Sequence, residues 1–297
     1  MDTCVRRDFE GIIKMTSSNR AYREQSVLSS DWAQPIQDLP ALPLVAQELS
    51  ELIRHPATTR AQVADLMKQD QVLTAKLLKL ANSSFYSIPG GVEDVSKALT
   101  FLGFNTVYQL VLSLSVMSYF SIEDEMTPFS LLEFWKHALA TAIGAQFLAE
   151  QNQKLVPEEV FTGGLLHDLG KLVHLKLSPQ TFQKTIELAK KHSESFDWAE
   201  TQLQLPSHCD LGSLMAKRWN LPPTTVKAIQ DHHSATIPID SASYCVREAN
   251  IASHDLGIGN SGNFKSTNKD QKKNQRLYSE IENKFSQMGG FLNELSS

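Results

Sequence analysis

The sequence predicts an all-α protein. Apolar residues recur at the i, i+3, i+4, i+7 spacing of helices, and the strict alternation expected of half-buried strands is nearly absent. Prolines, glycines and capping residues divide the chain into segments of helical length. With 297 residues, of which 41% are hydrophobic and 21% charged, the chain can bury a sizeable core in one or two domains.

Composition and charge narrow the functional class. A formal net charge of −5 argues against a general nucleic-acid binder, so nucleic acid is not an expected partner. The three cysteines are widely spaced and indicate neither a disulfide framework nor a zinc knuckle. The N-terminus lacks the apolar core of a signal peptide, and the most apolar stretch, 107–120, is too short and too rich in serine to span a bilayer. We therefore expect a cytoplasmic protein without a membrane partner.

Changes in composition divide the chain into five segments. A polar stretch opens it, an acidic and proline-broken stretch at 121–130 marks a boundary, and a stretch rich in Gly, Asn, Ser and Lys follows Gly257. The predicted segments are a polar N-terminal segment (1–30), a helical N-terminal half (31–125), a helical second half (126–257), a flexible basic loop (258–276) and a C-terminal helix (277–297).

Helix boundaries in the first half are set by proline and capping residues. Pro43 stands in the first turn of a helix that ends at Pro56. Thr59 and Gln62 form a capping box for the next helix, and Gly103 is expected to stop a later one. The helices predicted for this half lie around 42–53, 63–67, 72–81, 92–102 and 105–120.

The second half is predicted to contain seven helices on the same grounds of apolar spacing and proline placement. They cover 131–151, 157–169, 180–192, 196–204, 207–219, 223–233 and 241–256.

An adjacent pair, His167 and Asp168, is the centre of the functional hypothesis. Imidazole suits transition metals, and a carboxylate can bridge two of them. Lys171 would then lie where it could hold a phosphate oxygen, and Gly170 is expected to end the helix. The alternative is structural, with His167 capping the C-terminus of that helix. Further histidines at helical positions favour the metal site, namely His137, His208, His232 and His233.

Three motifs in the first part of the chain resemble the HDOD family, a relative of the HD and HD-GYP metal-dependent phosphohydrolases found in bacterial signalling. They are L-P-A-L-P at 39–43, D-Q-V-L-T-A-K-L-L-K-L-A-N-S at 70–83 and A-L-T-F-L-G at 98–103. The resemblance covers about residues 32–255. It implies a helical N-terminal subdomain packed on an HD-superfamily-like helical bundle.

The resemblance also implies a ligand set for one or two divalent transition metals, such as iron, manganese, zinc or nickel. The implied ligands are His137, His167, Asp168, His208, His232 and His233. Consecutive residues on a helix point about 100° apart, so the alternative for the last pair is one buried and one solvated histidine. The superfamily's closing Asp is replaced here by Asn250, whose neutral oxygen binds a cation more weakly. The Gly-Tyr-Pro segment of HD-GYP proteins is absent after the last pair.

Two functions follow from this pattern. The first is a signalling output module that contacts other signalling proteins without catalysis, in which the histidines hydrogen-bond to one another and to Asp168. The second is a metal-dependent phosphohydrolase acting on a nucleotide or a cyclic dinucleotide, with Asp168 and Lys171 in catalytic roles. The remaining histidines, His55, His174, His192 and His254, are expected at the surface, in loops or at helix caps.

Overall fold

A computed structural model of the chain describes residues 41–120, 129–266 and 274–295, and the regular secondary-structure elements among them are all helices. The all-α prediction is confirmed. The predicted polar segment 1–30 and the boundary near 125 lie outside the described residues.

Local capping signals account for the helices of the first half. Thr59 and Gln62 make the predicted capping box, with the Thr59 amide 2.8 Å from the Gln62 Oε1 atom. Asp70 and Asp94 cap the two helices that follow by accepting a hydrogen bond from a first-turn amide. These helices are α1 (Leu44–Arg54), α2 (Arg60–Met67), α3 (Gln71–Ala81) and α4 (Val95–Tyr119).

Helix α4 is broken where the sequence predicted a stop. Gly103 has φ 79° and ψ 170°, a conformation that side-chain-bearing residues rarely adopt, and helix continues on both sides of it. Among the described helices, α4 is also the one long and apolar enough to match a membrane span. Most of its apolar window is buried inside the protein, which is the pattern of a core helix.

A long central helix, α5 (Leu131–Ala149), organises the second half. It packs against α6, α12 and the C-terminal helix α13, while α7 packs against α10, and α11 contacts both α6 and α10. The bounds of these helices are α6 (Pro157–Leu166), α7 (Leu169–Leu177), α8 (Pro179–His192), α9 (Phe196–Gln202), α10 (His208–Arg218), α11 (Pro223–Asp231), α12 (Ala242–Asp255) and α13 (Gln275–Leu295).

The expected role of Gly170 is wrong. Helix α6 already ends at Leu166, and Gly170 lies inside α7, a helix that the sequence analysis missed. A Cβ atom on Gly170 would lie 1.8 Å from the carbonyl oxygen of His208. The glycine is therefore needed for the close approach of α7 and α10, which brings the two halves of the histidine set together.

The first residues of the predicted flexible basic loop, 258–276, pack against the second half of the chain. The Asn260 amide donates to the Glu133 carbonyl of α5, and Ser261 is buried. A Cβ atom on Gly259 would come within 2.4 Å of the His137 amide nitrogen. This part of the segment therefore packs over α5 beside the histidine cluster, while residues 267–273 lie outside the described chain.

Candidate metal centre

The carboxylate of Asp168 lies at the centre of the cluster, at the junction of α6 and α7. Its Oδ2 atom accepts a hydrogen bond from Lys171 Nζ at 2.7 Å and lies 3.3 Å from His167 Nε2. Its Oδ1 atom is 3.3 Å from His208 Nε2 and 3.7 Å from His232 Nε2. Burial raises the pKa of Asp168, but the neighbouring His167 and Lys171 outweigh it and hold the pKa well below its usual range. The side chain is therefore a buried carboxylate.

Three histidines present the same ring nitrogen to this carboxylate. His167 Nδ1 and His232 Nδ1 each lie 2.7 Å from a backbone carbonyl three residues earlier, and His208 Nδ1 lies 2.8 Å from Glu200 Oε2. Because those oxygens can only accept, Nδ1 carries a proton in each ring and Nε2 is the nitrogen that faces Asp168. Metal-ligating histidines are held in this way in proteins.

Burial lowers the pKa of His208, but Glu200 and Cys209 raise it well above its usual range. Burial also lowers the pKa of His232, but Cys209 with Asp168 raises it to about 9. These two rings must therefore lose the Nε2 proton before they bind a metal.

His137 reaches the cluster from α5. Its ring centroid is 5.4 Å from that of His167, and its Nε2 atom lies 2.9 Å from Asn250 Oδ1. Burial, with the nearby His167, lowers the pKa of His137 to about 3, so the ring is neutral. Asn250 on α12 thus lies beside His137, at the position where the resemblance predicts the closing Asp of the superfamily.

The His232 and His233 pair at the end of α11 is divided between the interior and the surface. His232 is fully buried, whereas His233 is exposed at the rim of the cluster. Their ring centroids are 4.2 Å apart. The structure therefore agrees with the alternative given for this pair, in which one histidine is buried and the other is solvated.

A second set of hydrogen bonds surrounds the cluster, and the sequence analysis missed it. Glu200 on α9 accepts from the His208 amide at 2.8 Å and lies 3.1 Å from His174 Nε2. His174 is 1% exposed, so its expected surface position is wrong. Burial raises the pKa of Glu200, but His208 and His174 lower it to about 2. Nothing in the local sequence distinguishes Glu200 from the many surface glutamates.

Cys209, which follows His208 in the first turn of α10, also faces the cluster. Its buried Sγ atom is 3.7 Å from His208 Nε2 and 3.9 Å from His232 Nε2. Burial raises the pKa of Cys209, but His232 and His208 lower it to about 6. Its position directly after the candidate ligand His208 is the sequence signal that could have identified Cys209. The absence of CxxC spacing argued only against a zinc knuckle.

The donor chemistry fits a transition-metal ion. Within the described residues, His167 Nε2 and Asp168 Oδ1 are buried atoms without a hydrogen-bond partner, which is uncommon in folded proteins. Potential ligand atoms form two groups, each within 4.8 Å: His137, His167 and Asp168, and His208, Cys209, His232 and His233. The ammonium of Lys171 and the neutral amide of Asn250 both lie on the side of the first group. The residues present therefore fit one divalent ion better than two.

Comparison with known proteins shows the family and the fold. The HDOD domain model matches residues 39–235. The fold is similar to an HDOD domain protein of unknown function from Geobacter sulfurreducens (TM-score 0.72, 23% identity, 94% of this chain and 97% of that one). It is also similar to a protein from Shewanella amazonensis SB2B named as a candidate phosphohydrolase (TM-score 0.66, 25% identity, 89% and 92% covered).

An uncharacterized protein of Treponema pallidum (strain Nichols) is 27% identical over 209 residues. That match covers 70% of this chain. The matched region spans only 40% of the length of the Treponema protein. The family match extends over more than half of the chain, from the motifs of the first half to the paired histidines that end α11. The chain belongs to the HDOD family.

Proposed function

We propose that the chain is a signalling module that acts through contacts with other proteins and that its His/Asp cluster does not catalyse hydrolysis. The main observation in support of this proposal is that the cluster is buried from solvent. Asp168, Lys171 and the buried histidines are each at most 3% exposed. A phosphodiester would have to displace packed side chains before its phosphorus reached the carboxylate.

The position of Lys171 supports the same conclusion. In a hydrolase this ammonium would steady a phosphate oxygen. Here its Nζ atom bonds to Asp168 Oδ2 at 2.7 Å and to Ser261 Oγ at 3.2 Å, and it lies 5.3 Å from the centre of the Phe196 ring. The ammonium is therefore satisfied by the protein itself and acts as a fixed internal counter-ion.

Within this proposal the module is cytoplasmic and its partners are signalling proteins. The two cysteines in the described part of the chain, Cys209 and Cys245, are both buried and free, which fits a reducing compartment.

A second function, a metal-dependent phosphohydrolase, is favoured by the converging Nε2 atoms. His137, His167, Asp168, His208 and His232 would hold one or two ions, with His233 at the rim. A bound divalent metal polarises a phosphoryl oxygen and activates water. Lys171 would have to leave Asp168 to contact a nucleotide or cyclic dinucleotide, and Asp168 would lose its hydrogen bond on that side.

A turnover assay separates the two functions. The purified chain is incubated with manganese, iron(II), zinc or nickel and then with bis(p-nitrophenyl) phosphate or a cyclic dinucleotide. The proposal predicts no turnover above that of the Asp168→Ala variant. Metal-dependent turnover that is lost in Asp168→Ala would establish the hydrolase instead.

The interaction part of the proposal is tested by affinity capture from a lysate of the source organism. The same partner should be captured by the wild-type chain and by a folded His167→Ala variant, because binding does not use the cluster. Failure of both chains to capture a reproducible partner would contradict the proposal.

A further inference from the structure

We propose that Cys209 is a metal ligand and that its Sγ atom, His208 Nε2, His232 Nε2 and Asp168 Oδ1 form a closed four-coordinate site for a thiophilic divalent ion such as zinc. The inference concerns the ligand set alone and does not depend on the signalling role proposed above.

Four of the distances between these donors are close to those of a tetrahedral shell. With metal–ligand bonds of about 2.0–2.3 Å, donor atoms lie roughly 3.3–3.6 Å apart. Asp168 Oδ1 is 3.3 Å from His208 Nε2 and 3.7 Å from His232 Nε2. The Cys209 Sγ atom is 3.7 Å and 3.9 Å from the same two nitrogens. Contraction of the longer distances by a few tenths of an ångström would bring all four into this range.

The surrounding hydrogen bonds orient the two histidines and Asp168 toward one another. The Nδ1 atoms of His208 and His232 are engaged by Glu200 and by the Ile229 carbonyl, which leaves both Nε2 atoms facing inward. Asp168 Oδ1 has no hydrogen-bond partner among the described residues, whereas Oδ2 is bonded to Lys171. The carboxylate is therefore arranged to bind one ion through a single oxygen.

The donor set determines the class of metal. A thiolate with two imidazoles and one carboxylate favours zinc over magnesium or manganese, because soft sulfur ligands select thiophilic ions. The four side chains are at most 7% exposed, and together they would supply all four ligands of a tetrahedral ion. A shell closed by protein ligands is typical of a structural site and leaves no position for substrate.

Cobalt(II) substitution tests the ligand set directly, because the absorption spectrum of cobalt(II) depends on the number and the kind of its ligands. One equivalent should give the intense visible bands of a tetrahedral site and a sulfur-to-cobalt charge-transfer band in the near ultraviolet. The Cys209→Ser variant should lose the ultraviolet band. Cys245→Ser and Cys4→Ser control for the other thiols, and His137→Ala controls for the neighbouring donor group; all three should keep it.

An ultraviolet band that is absent from the wild-type protein, or unchanged in Cys209→Ser, would overturn the inference. X-ray absorption of the zinc-loaded wild-type chain avoids any failure of the variant to fold. It should show one sulfur scatterer at about 2.3 Å. A first shell of nitrogen and oxygen alone would overturn the inference. Sulfur ligation together with phosphodiester turnover would overturn the proposed function and the closed shell, and would leave only the assignment of Cys209 as a ligand.

Discussion

The two halves of the described chain bury different kinds of residue under similar helices. In residues 41–120 the core is apolar, and its buried polar side chains are the uncharged Gln109, Ser113 and Ser115. In residues 129–266 the core encloses Asp168, Lys171 and Glu200, together with five of the histidines. Every acidic, basic or histidine side chain buried in the described residues lies in this second half.

The two halves therefore depend on different interactions for their stability. The first half is stabilised by apolar contacts, so its stability should depend little on pH. The second half places charges where water is excluded, and such groups are tolerated only when each has a partner. Substitutions matched between the halves should therefore have unequal effects.

The largest expected effect comes from a matched pair of Asp–Lys contacts. Asp65–Lys68 in the first half and Asp168–Lys171 in the second are both i, i+3 pairs at 2.7 Å, but the first is exposed and the second buried. Asp168→Ala should lower the free energy of unfolding by about 3–5 kcal/mol, because it leaves a buried ammonium unpaired. Asp65→Ala should change it little. Equal losses in urea denaturation would contradict the account.

A smaller loss is expected when the contact between α7 and α10 is widened. Gly170→Ala places a methyl group against the backbone of His208 and should destabilise the protein by about 1–3 kcal/mol. The control is Gly144→Ala, where the atoms nearest the new methyl group belong to the side chains of Ile281 and Ala249 and not to the backbone. Thermal unfolding in which Gly144→Ala is the more damaging of the two would show that α7 and α10 can separate freely.

The charge of Glu200 should make the second half sensitive to acid. Glu200→Gln should cost about 1–3 kcal/mol near neutral pH, because the carboxylate bonds to His208 in the interior. The pKa of Glu200 is lowered from 4.5 to about 2, so its stabilisation is complete above pH 4.5 and is lost as the pH falls toward 2. The difference between wild type and variant should shrink over that range. Leu77→Ala, a change in the apolar half, should cost the same throughout, and a parallel decline there would contradict the comparison.

The smallest effect is expected at the surface of the first half. Thr59→Ala removes the capping box of α2 and should cost about 1 kcal/mol. The cobalt spectrum should not change, since the box lies on a helix that supplies none of the ligands. A spectral change in this variant would show that the two halves are coupled more tightly than their cores suggest.

The sequence predicted most helices because their signals are local. The capping box at Thr59 and the break at Gly103 were both readable from neighbouring residues. The histidines of the cluster were singled out by their helical positions around His167 and Asp168, and the family resemblance assigned them to one ligand set. What was missed depends on contacts between distant parts of the chain. Glu200 and Ser261 acquire their roles only when α9 and the segment after α12 pack beside α7, and the role of Gly170 depends on the backbone of α10.

We infer that Lys171 takes one side of the Asp168 carboxylate and leaves the other side for a single metal ion. Elemental analysis of protein purified without chelators or a metal-affinity tag, and then loaded with zinc and dialysed, tests it most directly. The account predicts about one equivalent per chain, retained in His137→Ala and lost in His208→Ala. Two equivalents, of which one is lost in His137→Ala, or none after loading, would contradict it.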